Sequence, residues 1–461
     1  MFRTPLAVAA GAAITGTVAL AATAVSAPAL TATSATASVP AEALSLARQV
    51  LPAGDGWGSD QGGTTGGSAA DPTNVYVASN RSELVAALGG NNATNATNAT
   101  PKIIFVKGRV NGNVDANNKA LTCDDYAAGT GYSLDAYLAA YDPAVWGRSA
   151  KPSGPVEATR VAAAAKQTAQ MQIAVGSNTT IIGLGDTARI IGASLSLNKV
   201  NNVIVRNIKF SDTADCFPQW DPTDGTTGNW NSLYDSISLV TATHVWLDHN
   251  TFTDQPNLDS SQPTYFGRPY QVHDGASDII RGSDLVTVSW NSYQDHDKTM
   301  LIGSTNTPTV DLGKLRVTVH HNEFDNILQR APRVRFGQVD VYNNYYRIQP
   351  DSGYVYSWGV GVGSAIVAEK NYFRIAGVTT PAEVIYNWGG TAIHAEDNWA
   401  KVDGNSAAPM DLLAAFNAAS DPDLGADVGW TPTLRTNVLP ALQVQKVVPA
   451  NAGSGRLGLH D

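Results

Sequence analysis

Arg330, Arg333 and Arg335 fall close together in a stretch, residues 328–337, that contains no acid. The chain as a whole carries 40 acidic against 30 basic residues, a formal net charge of −10. A basic run in an acidic protein is placed to meet an anion, because the surrounding field would otherwise repel one. Pro332 restricts the backbone between Arg330 and Arg335, so their guanidinium groups project from a stiff segment. Taken alone, a solvated basic edge strand would read the same way.

Three carboxylates complement that run. Asp235 begins one β segment, and Asp274 and Asp278, four positions apart, open a later one. In extended chain that spacing puts both on one face. Carboxylates without neighbouring cations repel one another unless a hard cation bridges them, and calcium takes such an oxygen-only set. Solvated turn aspartates share the pattern, so spacing leaves both readings open. The run Asp295-His296-Asp297-Lys298 offers an Asp-His pair, but no Gly-x-Ser-x-Gly or similar nucleophile accompanies it. Lys298 reads instead as an anion-binding ammonium at a strand end, ahead of the apolar Met300, Leu301 and Ile302. Gly183-Leu184-Gly185 has no following helix to make it a phosphate loop, and His320-His321 reads as a structural pair in a strand.

These groups need a scaffold, and the sequence repeats one. Val245–Phe252, Val286–Tyr293, Val317–Phe324, Val339–Tyr346 and Val367–Phe373 each run through alternating apolar residues to an Asn with an aromatic two places on. The asparagines are Asn250, Asn291, Asn322, Asn344 and Asn371, followed by a weaker Asn398-Trp399 and preceded by a displaced Asn207. Their separations of 41, 31, 22, 27 and 27 residues fit coils in the low twenties lengthened by insertions, as in a parallel β-helix. Stacked coils would align the asparagines in a ladder at a turn, with aromatic and aliphatic positions stacked inside. A β-sandwich would instead show short, regular hairpin signals. The expected fold is therefore all-β, a single-stranded solenoid with long loops on its binding side and a few short helices, over residues 71–461.

Outside the coils, Arg3 and the Ala-rich run to Val25 read as a secretory signal over residues 1–27, too poor in Leu and Ile for a membrane anchor. Residues 28–70, rich in Ala, Ser, Thr and Gly, read as a flexible lead-in. A strand at Val75-Tyr76-Val77, a helix start at Asn80, a low-complexity Asn-Ala-Thr loop at 91–100, and helices at 134–141 and 156–171 follow. Cys123 and Cys216, the two cysteines present, could form one disulfide in an exported protein, worth roughly 2–4 kcal/mol. Without histidines nearby they do not make a zinc site.

The combined order of Thr180–Gly185, Phe217–Pro222, Val245–His249, His273-Asp274-Gly275, Arg330-x-Pro-x-x-Arg335 and Val428–Pro432 resembles the pectate lyases of polysaccharide lyase family 1. The resemblance covers most of residues 70–461 and implies a right-handed parallel β-helix. It also implies calcium at Asp235, Asp274 and Asp278, uronate carboxylates on Lys298 and Arg335, and Arg330 as the base, with Asp248 in a supporting position. The related pectin lyases lack the calcium aspartates, so an unesterified polygalacturonate substrate is implied. The implied enzyme is secreted and monomeric, with no nucleic-acid partner and no membrane association once the signal is removed. A β-helix polygalacturonase, hydrolysing with paired carboxylates, and a non-catalytic polysaccharide-binding solenoid are the alternatives.

Overall fold

The structure is a computed structural model that describes residues 31–34, 39–307, 310–350, 352–377 and 379–459. The signal expected over residues 1–27 lies outside the described residues. Short alternating strands build three faces, each a stack of parallel, in-register neighbours. The first face runs from Asn201–Arg206 through Thr243–Asp248, Asp284–Ser289, Val317–His320, Gln338–Tyr342 and Ala365–Glu369 to Ile393–Glu396. The second runs from Lys209–Ser211 through Thr251–Thr253, Ser292–Lys298, Glu323–Gln329, Tyr345–Ile348 and Tyr372–Ile375 to Trp399–Val402. The third runs from Gln172–Ala174 through Ser194–Asn198, Ile237–Val240, Ser277–Ile280, Leu301–Ile302, Arg333–Val334 and Trp358–Gly361 to Ile385–Trp388. This is the expected parallel β-helix, with one apolar core along its axis.

The asparagine ladder forms as the repeat predicted. Each Nδ2 donates to the Oδ1 of the next coil's asparagine, at 3.0 Å from Asn250 to Asn291, Asn291 to Asn322, Asn322 to Asn344 and Asn344 to Asn371, and 3.1 Å from Asn371 to Asn398. The same Oδ1 atoms accept the backbone N–H of the preceding rung, so each amide satisfies backbone that the turn takes out of the sheets. Two positions on, Phe210, Phe252, Tyr293, Phe324, Tyr346 and Phe373 stack with ring centroids 4.3–5.2 Å apart. Asn322→Ala would strip partners from Asn291, Asn344 and the Val288 carbonyl at once. The Asn291 backbone N–H is left without its acceptor, and at about 1–3 kcal/mol per buried orphan the urea midpoint is expected to fall by the equivalent of about 1–3 kcal/mol.

One expectation is corrected. The lead-in is not a flexible tether over its described part: Ala41–Ala47 is a helix, Arg48 donates to the carbonyls of Ser68 and Ala70, and Trp57 N donates to Thr318 Oγ1. Gly56, Gly66 and Gly67 serve close approach there; a Cβ on Gly67 would stand 1.9 Å from the Lys102 carbonyl. The Asn-Ala-Thr tract is the expected loop, and two of its residues anchor it: Asn95 is buried and, with Asn98, caps the helix Arg81–Leu88 through the carbonyls of Val85 and Leu88. The predicted helices form at Leu134–Tyr141 and Pro155–Met171, and Cys123 and Cys216 are joined in a disulfide. That bond ties the helix Cys123–Ala127 to the loop leading toward Trp220. Tyr126 of that helix packs on Ala163, Ala164 and Phe217, next to an aromatic cluster of Tyr137, Tyr141, Trp220, Trp230 and Tyr270.

Candidate active site

The chain turns from the second face to the third at one corner of every coil, and five of the six predicted residues gather on successive turns at it, with Arg335 at the far end of a third-face strand. Asp235 precedes Ile237–Val240; Asp274 and Gly275 precede Ser277–Ile280, which contains Asp278. Lys298 ends Ser292–Lys298, and Arg330 and Arg335 flank Arg333–Val334 on the coil after that. Parallel register fixes the stack: Ser238 pairs with Asp278, Ile279 with Ile302, and Leu301 with Arg333. Met300 N donates to the Arg330 carbonyl at 2.7 Å, locking the Arg330 turn to the coil before it. Arg330 sits there at φ 62°, a conformation uncommon outside glycine and asparagine that the stack imposes.

Asp235 and Asp278 are buried, Asp274 less so. Asp235 Oδ1 accepts Gly275 N at 3.0 Å, and Asp278 Oδ1 accepts Leu301 N at 2.9 Å. Burial and then Asp274 push the Asp235 carboxyl up; burial, then Asp235 and Asp274, push Asp278 well above the usual carboxylate range. Lys298, buried, places its Nζ 3.5 Å from Asp274 Oδ1. Arg335 is the most committed of the six, its Nε donating to Asn306 Oδ1 at 2.6 Å and its Nη1 to the Gly303 carbonyl at 2.8 Å.

Arg330 departs from what a cluster of cations suggests. Burial pushes its guanidinium down, but Asp274 and Asp278 more than offset this and raise it. Repulsion within the arginine run is felt by its neighbours instead. Burial and Arg335 bring Arg333 down to about 10, and burial and Arg330 lower Arg335. Arg333 stacks over Trp388, 3.8 Å from the ring centre. The Arg330 Nε is shielded from solvent and has no hydrogen-bond partner among the described residues.

Sequence reasoning missed the supports. His273 is buried, with Nδ1 3.1 Å from Asp259 Oδ1 and Nε2 3.4 Å from Asp212 Oδ1. Burial lowers its pKa, but hydrogen bonds to Asp212 and Asp259 carry it up to about 10. His296 pairs through Nδ1 with Asp254 at 2.6 Å, not with the flanking Asp295 or Asp297, and its Nε2 lies 3.3 Å from the Lys298 carbonyl. Asp297 accepts from the amides of Gln271 and Gln329, bracing the strand ends on either side of Lys298. His273-Asp274-Gly275 was the available signal, but its histidine's partners lie on other loops.

Whether the acids suit a cation is decided by Gly275. A Cβ there would stand 2.4 Å from Asp278 Oδ1 and 2.6 Å from Asp235 Oδ1, so the missing side chain leaves the space that both carboxylates face. Buried, mutually repelling oxygens around such a space fit a hard divalent ion, and an oxygen-only set fits calcium. Among the described residues, three ligand atoms already within 4.8 Å of one another occur in two other groups, Asp254/Asp259/His273 and Glu369/His394/Glu396. In Asp235 and Asp278 one oxygen is occupied by a backbone N–H, and repulsion opposes closer approach.

A pectate lyase sequence profile matches residues 151–422. A pectate lyase of Bacillus subtilis is 44% identical over 420 residues, 90% of this chain and 96% of that protein. Pectate lyase E of Dickeya chrysanthemi is 36% identical over 339 residues, 73% of this chain and 71% of that protein. Among solved structures, a thermostable pectate lyase superposes with a TM-score of 0.87 at 46% identity, covering 89% of this chain and 99% of that chain. A pectate lyase bound to a hexasaccharide does so with a TM-score of 0.83 at 44% identity, covering 90% and 100%.

Proposed function

The chain belongs to the pectate lyase family, a family of polysaccharide lyases, and we propose that it is a secreted, calcium-dependent, monomeric enzyme that cleaves unesterified polygalacturonate by β-elimination. The observation that carries this reading is the convergence of Asp235, Asp274 and Asp278 with Lys298 and Arg330 at one corner, around the space left by Gly275. The amino-terminal sequence and the Cys123–Cys216 disulfide support an oxidising destination.

Elimination must remove the C5 proton of a galacturonate unit, which lies α to a carboxylate and is a weak acid because of that negative charge. Calcium held by Asp235, Asp274 and Asp278 would neutralise the carboxylate and favour the enolate-like charge of the transition state. Lys298 and Arg335 bind uronate carboxylates along the polyanion, and the bonds that Arg335 donates to Asn306 Oδ1 and the Gly303 carbonyl fix the direction in which it presents its charge. Arg330 takes the C5 proton. The C5–H electron pair becomes the C4–C5 double bond, the C4–O bond breaks, and water protonates the departing oxygen. The products are 4,5-unsaturated oligogalacturonides.

The direct test follows near-ultraviolet absorbance during digestion of de-esterified polygalacturonate, with and without chelator. A rising absorbance that chelation abolishes and added calcium restores is expected. Saturated products with no new absorbance would mean hydrolysis and overturn the reading.

A further inference from the structure

On the first face, away from the catalytic corner, Glu369 and Glu396 are register partners on adjacent parallel strands. Like charges stacked this way destabilise a sheet unless something between them compensates. His394, two residues before Glu396, holds its Nε2 3.1 Å from Glu369 Oε1 and 3.3 Å from Glu396 Oε2. One ring nitrogen thus faces an oxygen from each carboxylate, and the three atoms lie within 4.8 Å of one another. A single N–H shared between two acceptors makes two bent, weaker bonds, whereas a metal ion at that point would engage all three.

Two further features prepare the group. The other oxygen of Glu369 is held by Arg435 Nη1, while Arg435 is itself clamped on Asp340, Nε to Oδ2 at 2.8 Å and Nη2 to Oδ1 at 2.5 Å. Ligand carboxylates are commonly oriented from behind in this manner. Glu369 and His394 also line a pocket of about 350 Å³ together with the segment from Ala426 to Pro432. That segment is pinned: Gly425 exchanges backbone bonds with Thr391 and Ile393, and Trp430 Nε1 donates to the Ala365 carbonyl at 3.0 Å. The pocket offers solvent the open coordination positions.

We propose that Glu369, His394 and Glu396 form a divalent-metal site of the zinc class, separate from the catalytic aspartates. One imidazole with two carboxylates favours zinc and its transition-metal neighbours over calcium, which takes oxygen alone. The site is distinguished from the catalytic corner by metal type.

The test is calorimetric titration of zinc chloride into the full chain kept saturated with calcium, alongside His394→Ala and Glu396→Gln. One saturable zinc per chain is expected in the parent, weakened at least about tenfold in each variant, with turnover of polygalacturonate at saturating calcium unchanged. Asp278→Asn should bind zinc as the parent does. Saturable binding that survives both substitutions, or no saturable binding in the parent, would overturn the site. The Glu396 side chain is 73% exposed, so Glu396→Gln decides the matter even if His394→Ala misfolds.

Discussion

Arg330→Ala is expected to lower turnover of polygalacturonate by about 10²–10⁴-fold, the range a positioned general base supplies, with the far-ultraviolet circular dichroism of the parent retained. The turn itself is held by backbone, through Met300 N on the Arg330 carbonyl, and an alanine meets the same φ of 62° that arginine already tolerates. What disappears is a guanidinium whose Nε has no hydrogen-bond partner among the described residues. The sign of the pH dependence follows from its neighbours. Asp274 and Asp278 raise the Arg330 pKa and favour the charged form, so the neutral, proton-accepting fraction is small and grows as pH rises. Neutralising those two carboxylates removes the groups that hold the proton on Arg330, which makes calcium and alkaline pH act in the same direction. Rates under saturating calcium should therefore climb from neutral toward alkaline pH. Arg330→Lys keeps the positive charge but not the fork, and it separates the two roles: recovery of substrate affinity without recovery of turnover would assign proton transfer to the guanidinium. Full activity in Arg330→Ala, or an optimum on the acid side of neutrality, would remove Arg330 from that role.

The solenoid was legible because its signal is local. An Asn followed two residues later by an aromatic recurs in single short windows, and the Asn250-to-Asn398 ladder and the Phe210-to-Phe373 stack are those windows piled up. The third face was read only in part, at the segments that follow Asp235 and Asp274, since strands such as Leu301–Ile302 and Arg333–Val334 have two residues each and carry no period. The Asn-aromatic repeat does not mark the first coils, which lie inside the span read as solenoid: Val75–Ala78 pairs with Lys102–Asn111, which pairs with Thr179–Ile191. The long insertions around 112–171 hide that continuity. Composition misled in the lead-in, where Gly56, Gly66 and Gly67 lie against Thr287, Ile204 and Lys102. There glycine marks contact too close for a side chain, and nothing in a local window separates that from flexibility. The six candidate residues were marked by type and by family resemblance, and the stack brings five of them, all but Arg335, to one corner. Their supports were not, because His296 finds Asp254 across a sequence separation of 42 residues, and His273 finds Asp212 across 61.

Gly275→Ala is expected to raise the calcium concentration needed for activity by about 10–100-fold, the scale on which groups beside a metal's ligands act. Gly275 is not in the left-handed region, so alanine meets no backbone penalty there; the added carbon meets Asp278 Oδ1 at 2.4 Å and Asp235 Oδ1 at 2.6 Å. The carboxylates must move apart or turn away, which is the change that a shared cation cannot tolerate. The same two acids give the variant a second readout. Their pKa values are raised in the fold by burial and by neighbouring carboxylates, Asp274 for Asp235 and both Asp235 and Asp274 for Asp278, so the folded protein holds protons that the unfolded chain has already released. Between the ordinary carboxylate range and the raised values the unfolded state binds fewer protons, and their contribution to stability falls as pH rises. A bound divalent cation reverses this by favouring the ionised forms. The calcium-induced gain in melting temperature of the parent should therefore be larger at about pH 8 than at about pH 5, and Gly275→Ala should lose most of that difference while its chelated form melts close to the chelated parent. An equal calcium gain at both pH values in the parent would separate Asp235 and Asp278 from the metal, and an unchanged calcium requirement in Gly275→Ala would mean that the space beside them is not where the ion sits.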